Sequence, residues 1–260
     1  KGSDAVNKTH RILRLFLLFL CLGSLLGAGL LLCGHIREEL AQQDLDKETK
    51  EDYVTIPDGL IPEVSASDGY IYDWNAMQAV NEDVVGWIRF DNPDQIDYPI
   101  VQGSSNQTYL THNWKGGYSS YGSIFMNTSN APDFTDANTL LYGHRMISGA
   151  MFGSLKKYKT HTFMEENPYF YIYTPDGKKR TYEIYAYAQV TDAGRAYTIR
   201  FDTLKERQEY QDWIRNRASV YRDITVGEYD SLVTLSTCAS SGYYNRIIVQ
   251  GKLIAITQNQ

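Results

Sequence analysis

Near the start of this chain, Leu15–Gly34 runs LFLLFLCLGSLLGAGLLLCG without one charged residue. As a helix it would span roughly 30 Å at about 1.5 Å per residue, the thickness of a bilayer's hydrocarbon core. A secretory signal peptide has a shorter apolar region, about 7–15 residues, closed by a small-x-small site. This run instead passes straight into His35-Ile36-Arg37-Glu38-Glu39. Leu32 precedes Cys33 where a lipidated cysteine would follow a small residue, and basic flanks do not suit a buried core helix. The run therefore reads as an uncleaved membrane anchor. Residues 1–14 carry Lys1, Lys8, Arg11 and Arg14 against Asp4. The excess of positive charge keeps that tail in the cytoplasm and exports the chain from residue 35 onward.

The formal charge of −6 over 260 residues is unevenly placed: +3 in residues 1–14, none in 15–34 and −9 in the rest. A domain that acidic repels phosphate backbones, which excludes nucleic acid as a partner. Residues 36–52 (IREELAQQDLDKETKED) read as a short, solvated helical stalk. Pro57, Gly59, Pro62, Ser65, Ser67 and Gly69 then supply linker chemistry. The chain thus divides into a tail (1–14), an anchor (15–34), a stalk and linker (35–69) and one folded domain (70–260).

Within that domain, strand patterns dominate. Val84–Phe90, Ile96–Gln102, Ser123–Asn127, Thr139–Tyr142, Tyr169–Thr174, Thr181–Val190, Ser231–Thr237 and Arg246–Ile256 are β-branched or aromatic runs. Pro175-Asp176-Gly177 joins two of them as a hairpin. Eight segments in under 190 residues predict a mostly β barrel or sandwich. Helical spacing interrupts it at Asp73–Asn81, Gly149–Tyr158 and Thr203–Val220, the last opening on a capping box of Thr203 and Glu206.

Cys21 and Cys33 lie inside the apolar run, so Cys238 is the only cysteine of the exported domain. It has no partner for a disulfide and no second soft ligand for a metal. The count leaves a reactive thiol and an inert buried one equally open. His10 and His35 flank the anchor, while His112 and His161 read as loop or surface residues. His144 differs, because a strand ends at Gly143 and delivers the imidazole to the sheet's rim. Cys238 ends its own strand, and Arg246 opens the next one after a short polar turn. Brought to one end, these three are a nucleophile, an acid/base and a fixed cation, the groups that acyl transfer through a thioester requires. A free thiol with pKa near 8.5 is only about 3% thiolate at pH 7, and a neighbouring cation raises that fraction. Arg246 cannot act as a base, so its part is to hold a carbonyl or steady an oxyanion.

The run Thr234-Leu235-Ser236-Thr237-Cys238 with Arg246 in RIIVQGKL, and the upstream Leu141-Tyr142-Gly143-His144, resemble the active-site motifs of sortases. These are the cysteine transpeptidases of Gram-positive cell surfaces. NEDVVGWIRF, IDYPIVQ, GSIFMN and MFGSLKKY extend the similarity over most of residues 75–256, and the helix inserted before the cysteine strand looks like class B. The resemblance implies an eight-stranded sortase-type β-barrel with peripheral helices behind one transmembrane helix. It implies cleavage of a C-terminal sorting motif after Thr, a thioacyl-enzyme at Cys238, His144 as acid/base and Arg246 as stabiliser. Asn106, Tyr109, Leu110, Ser236 and Thr237 match positions that line the peptide groove. The implied partners are the sorting-signal peptide and an amine acceptor, either a peptidoglycan precursor or a pilin lysine. No cofactor and no metal are expected. Asn127 stands where class B members often have Asp, and Arg145 where they often have Asn. Both departures bear on specificity, and Arg145 would disfavour a His144 imidazolium if it pointed inward.

Three other readings weigh less. A pilin-polymerising sortase would carry an Asp-Pro-aromatic plug, whereas Asp73-Trp74 lacks the proline. A papain-like cell-wall peptidase normally places its cysteine before its histidine, the reverse of His144 and Cys238. A non-enzymatic adhesin needs no aligned Cys, His and Arg.

Overall fold

The computed structural model describes residues 2–56, 69–191, 194–238 and 245–259, and of 2–13, 238 and 245 the backbone alone. Residues 57–68 of the linker read from the sequence, and the turn at 239–244, lie outside the described residues. The chain forms two compact units, Lys1–Lys47 and Glu48–Gln260.

Helix α1 (Gly2–Tyr53) makes up the first unit and runs on past it. Its segment from Arg14 is long and apolar enough to cross a membrane, and Leu15–Leu32 present exposed apolar side chains. The stalk is the same helix rather than a separate short one. From His35 to Tyr53 the chain has neither glycine nor proline, and Glu, Gln, Lys, Ala and Leu continue the backbone pattern at little cost.

The second unit begins at Glu48, upstream of the Tyr70 start read from the sequence, because the last turns of α1 are packed. Trp114 Nε1 donates to Thr49 Oγ1 at 3.0 Å, and Tyr53 meets the Trp114 ring edge-on at 5.3 Å. Lys50 pairs with Asp97 at 2.9 Å and Glu48 with Lys115 at 2.8 Å. Val54–Thr55 then pairs with Ile71–Tyr72 as a two-stranded ribbon.

Eight strands close into a barrel: β1 (Val84–Arg89), β2 (Asp97–Val101), β3 (Ile124–Met126), β4 (Asn138–His144), β5 (Tyr169–Thr174), β6 (Lys178–Thr191), β7 (Leu232–Cys238) and β8 (Asn245–Gln258). Their order is β8-β7-β4-β3-β2-β1-β5-β6, and β6 pairs back to β8. The two-residue strand Val220–Tyr221 extends the sheet beside β6. All eight strands read from the sequence are present, with ends moved by a few residues. Closure removes free edges, and the alternation of side chains then decides what lies inside. Leu141, Val233, Leu235, Ile247 and Val249 point into the main core with Ile88, Ile124, Phe152 and Phe170. Residues one position along each strand face outward, under the peripheral helices.

Two of the three helices expected within the domain form with the caps their sequences offer. Asp73 caps α2 (Trp74–Val80) through Ala76 N at 2.9 Å. Thr203 caps α4 (Leu204–Arg217) through Glu206 N at 3.1 Å, while the Glu206 carboxylate reaches back to Asp202 N. The third expectation, Gly149–Tyr158, is corrected to a 3₁₀ helix over Gly153–Lys159. Gly149 and Met151 both have positive φ, and Met151 bridges to Arg145, so helical bonding begins only beyond Phe152. A further short helix, α3 (His161–Glu166), follows it.

Helix α4 is fixed to the barrel's outer face by a buried polar network. Gln250 on β8 donates to Thr234 Oγ1 at 2.8 Å and to the Tyr210 hydroxyl of α4, and accepts from the Tyr185 hydroxyl at 2.8 Å. Thr234 Oγ1 in turn donates to Asn138 Oδ1 at 2.9 Å. Every member is buried and hydrogen-bonded, which is what such a network needs to hold one geometry.

Candidate active site

Strands β4 and β7 run parallel in unbroken register from Leu232↔Asn138 to Cys238↔His144. Register partners share a face of the sheet, and neighbouring strands lie about 4.8 Å apart. Cys238 and His144 thus end adjacent strands side by side, on the outer face that also carries Ser236 and Tyr142. On the other side of β7, the antiparallel register with β8 runs from Leu232↔Lys252 to Ser236↔Ile248, and Arg246 stands on β8 two residues from that last pair. The three residues singled out for chemistry therefore occupy three adjacent strands, one face and one end of the barrel. The Cys238 side chain lies outside the described residues.

Each neighbour of the pair is held by backbone. The His144 ring is half-buried, and its Nε2 lies 2.7 Å from the Leu110 carbonyl oxygen. Gly143 allows the strand end to lie flat on the core, because a Cβ there would come 2.5 Å from Ile124 and 2.9 Å from the Phe152 ring. Arg246 donates from Nη1 to the Thr237 carbonyl at 3.3 Å, one residue before the cysteine. Arg145 is exposed beside His144 in sequence. Burial raises the pKa of Tyr187, and a hydrogen bond with Gln189 and then the Arg145 charge oppose that rise.

The five groove candidates separate into two groups. Asn106 is exposed and accepts from Thr128 N at 2.9 Å, and Leu110 is half-buried above His144, whereas Ser236 is fully buried and bonds the Tyr197 hydroxyl at 3.0 Å. Tyr109 and Thr237 are turned away. The Tyr109 side chain is buried beside Trp114, where its hydroxyl donates to Asp83 Oδ2 at 2.7 Å and accepts from Asn81. Burial first, and the Asp83 carboxylate with it, push that phenol up to about 12. Thr237 is buried, and its hydroxyl accepts from Ile247 N at 3.0 Å, filling in for the β7–β8 ladder. In this structure the side chains of both are packed into the frame behind the groove positions, as is that of Ser236.

The sequence reading did not single out the aromatic residues beside the pair. Tyr142 lies between Phe125 at 5.3 Å and Tyr197 at 6.1 Å, its ring tilted to both, and its hydroxyl accepts from Asn127 Nδ2 at 3.0 Å. Tyr197 comes from a short 3₁₀ turn, Arg195–Tyr197, that no periodicity announces. Among the described residues no three His, Cys, Asp or Glu side chains gather as a metal site.

A sequence model of the sortase domain matches residues 88–254. The chain belongs to the sortase family. Sortase B of Listeria monocytogenes is 33% identical over 180 residues, covering 68% of this chain and 72% of that one. Among solved structures, sortase B of Bacillus anthracis superposes with a TM-score of 0.70 at 30% identity, over 84% of this chain and 99% of its own. A Staphylococcus aureus sortase B–substrate complex gives 0.66 at 27% identity, over 69% and 83%. This sortase is therefore of class B, and as a family member it is a cysteine transpeptidase. Its eight-stranded barrel with peripheral helices is the one the resemblance implied.

Proposed function

We infer that this sortase cleaves a C-terminal sorting motif of exported proteins after Thr, holds the product as a thioester on Cys238 and passes it to a cell-wall amine. The observation that carries the reading is the parallel β4–β7 register, which ends on Cys238 beside His144. In this reading the Cys238 thiolate attacks the scissile carbonyl, forming the S–C bond. His144 protonates the departing amine as the C–N bond breaks, and later takes a proton from the incoming amine as the S–C bond breaks. Arg246, held at the Thr237 carbonyl, steadies the carbonyl oxygen as charge develops. Asn106 and Leu110 offer the peptide accessible groove positions, with Tyr109, Ser236 and Thr237 backing them from buried ones, a reading supported by the related Staphylococcus aureus enzyme having been solved with a substrate. Residues 15–34 anchor the enzyme in the membrane, with the N-terminal tail cytoplasmic and the barrel outside.

The test is turnover by the full chain in detergent micelles, using quenched peptides with NPxTN-, LPxTG- and PPxTG-type motifs. Products are read by mass spectrometry with and without added amines, alongside Cys238→Ala and His144→Ala. Cleavage after Thr that needs both residues, followed by transfer to an amine, is the expected outcome. Cleavage that survives Cys238→Ala would overturn the assignment.

A further inference from the structure

We propose that the Leu110 carbonyl and Gly122 together fix the tautomer of His144, so that Nε2 keeps its proton throughout and Nδ1 alone exchanges protons with Cys238 and the amines. The proposal rests on His144 being the acid/base of the reaction, and it assigns the nitrogen that does the work.

A backbone carbonyl oxygen only accepts hydrogen bonds. An imidazole nitrogen 2.7 Å from the Leu110 oxygen must therefore be the donor, and Nε2 carries the hydrogen. In the neutral ring the lone pair then sits on Nδ1, which has no hydrogen-bond partner among the described residues. A second interaction of this kind is what selects a histidine tautomer and holds its ring plane.

Gly122 makes that contact possible. Its φ is +60°, in the left-handed region, and its amide donates to Ser119 O at 3.1 Å. A Cβ built there would lie 2.4 Å from Tyr109 O, 2.9 Å from Leu110 O and 3.1 Å from His144 Cδ2. The first two are backbone atoms that no rotamer change can move aside. Only a bare Cα lets the 109–110 carbonyls and the imidazole meet at this point, so Gly122 is a positioning residue for His144. Ser123 N, next along, donates to Tyr109 O at 3.0 Å and ties the same two segments together.

The proton then follows one path. The thiol proton of Cys238 passes to Nδ1, giving thiolate and imidazolium. The thiolate forms the S–C bond, and the leaving nitrogen takes the Nδ1 proton as its C–N bond breaks. The acceptor amine returns a proton to Nδ1 while its own C–N bond forms and the S–C bond breaks. Nε2–H stays on Leu110 O in every step. That bond also supports the imidazolium, since a cationic N–H donates more strongly to a carbonyl than a neutral one.

Long-range ¹H–¹⁵N NMR of the full chain, labelled at histidine and held in micelles, reads the tautomer directly. His144→Gln identifies the His144 signals among those of the five histidines. At a pH where the ring is neutral, a pyrrole-type shift at Nε2 and a pyridine-type shift at Nδ1 are expected. Gly122→Ala should blend the two signals and lower kcat roughly 10- to 100-fold, as small misplacements of a catalytic group do. A pyridine-type Nε2 in the wild type, or an unchanged tautomer with an unchanged kcat in Gly122→Ala, would overturn the proposal. The wild-type spectrum keeps it testable even where Gly122→Ala does not fold. A His144→Ala chain that still turns over would overturn both this proposal and the catalytic reading. An inactive His144→Ala chain whose wild type carries its proton on Nδ1 would overturn this proposal alone.

Discussion

Replacing Gln250 by Leu tests whether the buried network that fastens α4 to the barrel contributes to stability. Leucine is close in size, so packing changes little and the polar contacts are what is lost. The Tyr185 hydroxyl loses its one acceptor, at 2.8 Å, inside a site with no solvent. A hydroxyl stranded in that way costs about 1–3 kcal/mol. Thr234 keeps its bond to Asn138 and Tyr210 its bond to Ala196 O at 3.3 Å, so each loses only a net hydrogen bond of about 1 kcal/mol. Together the loss should be about 4 kcal/mol, which for a unit of this size lowers Tm by about 12 °C. Urea unfolding of the full chain in micelles, followed by near-ultraviolet circular dichroism, gives the midpoint shift. The double variant Gln250→Leu with Tyr185→Phe removes the stranded hydroxyl and should recover about 1–3 kcal/mol. A double variant that merely adds the two single losses would refute the reasoning, because Tyr185 would then have found another partner or water.

Arg246→Lys should leave the fold intact and lower kcat/KM roughly 100-fold in the peptide assay, because a point charge cannot hold the Thr237 carbonyl and an oxyanion at once. Wild-type turnover would remove Arg246 from the mechanism. A chain beginning at Tyr70 should melt below one beginning at Glu48, by roughly 3 kcal/mol in stability, since it uncovers Trp114 and breaks its bond to Thr49; calorimetry of the two chains decides it. Burial alone would raise the Asp176 carboxyl, but hydrogen bonds from Lys178 and Thr174 and the charges of Arg180 and Lys178 bring it down to about 2. A depressed carboxylate stabilises the fold above its ordinary range and loses that contribution as pH falls from about 4 through 2. A carbon-detected titration of Asp176 with its midpoint near 4 would contradict this.

Much of the barrel was legible because its strands are β-branched and aromatic runs, and alternate residues of β7 serve two cores: Val233 and Leu235 pack in the barrel interior, while Thr234 is buried on the outer face under α4. The end of each key strand was legible too, since Gly143 and the polar turn after Cys238 break the pattern beside the chemical residues. What escaped the reading depends on contacts between distant segments. Tyr109 carries a groove-like sequence position, yet Asn81 and Asp83 capture its hydroxyl from a different element. Gly149–Tyr158 has helical spacing, but the positive φ at Gly149 and Met151 is set by the Arg145 bridge and is invisible in a hydrophobic period. The hold on His144 is a carbonyl, which every residue has, so no side-chain motif could announce it.

Cys238 comes 94 residues after His144, and only the parallel pairing of β4 with β7 joins them. Between the two strands the chain runs through β5, β6 and α4. A contact of such long sequence separation is among the last that a folding chain can gain. Until the barrel shuts, the two residues belong to unrelated segments. Completion of the fold is thus the event that brings Cys238 beside His144.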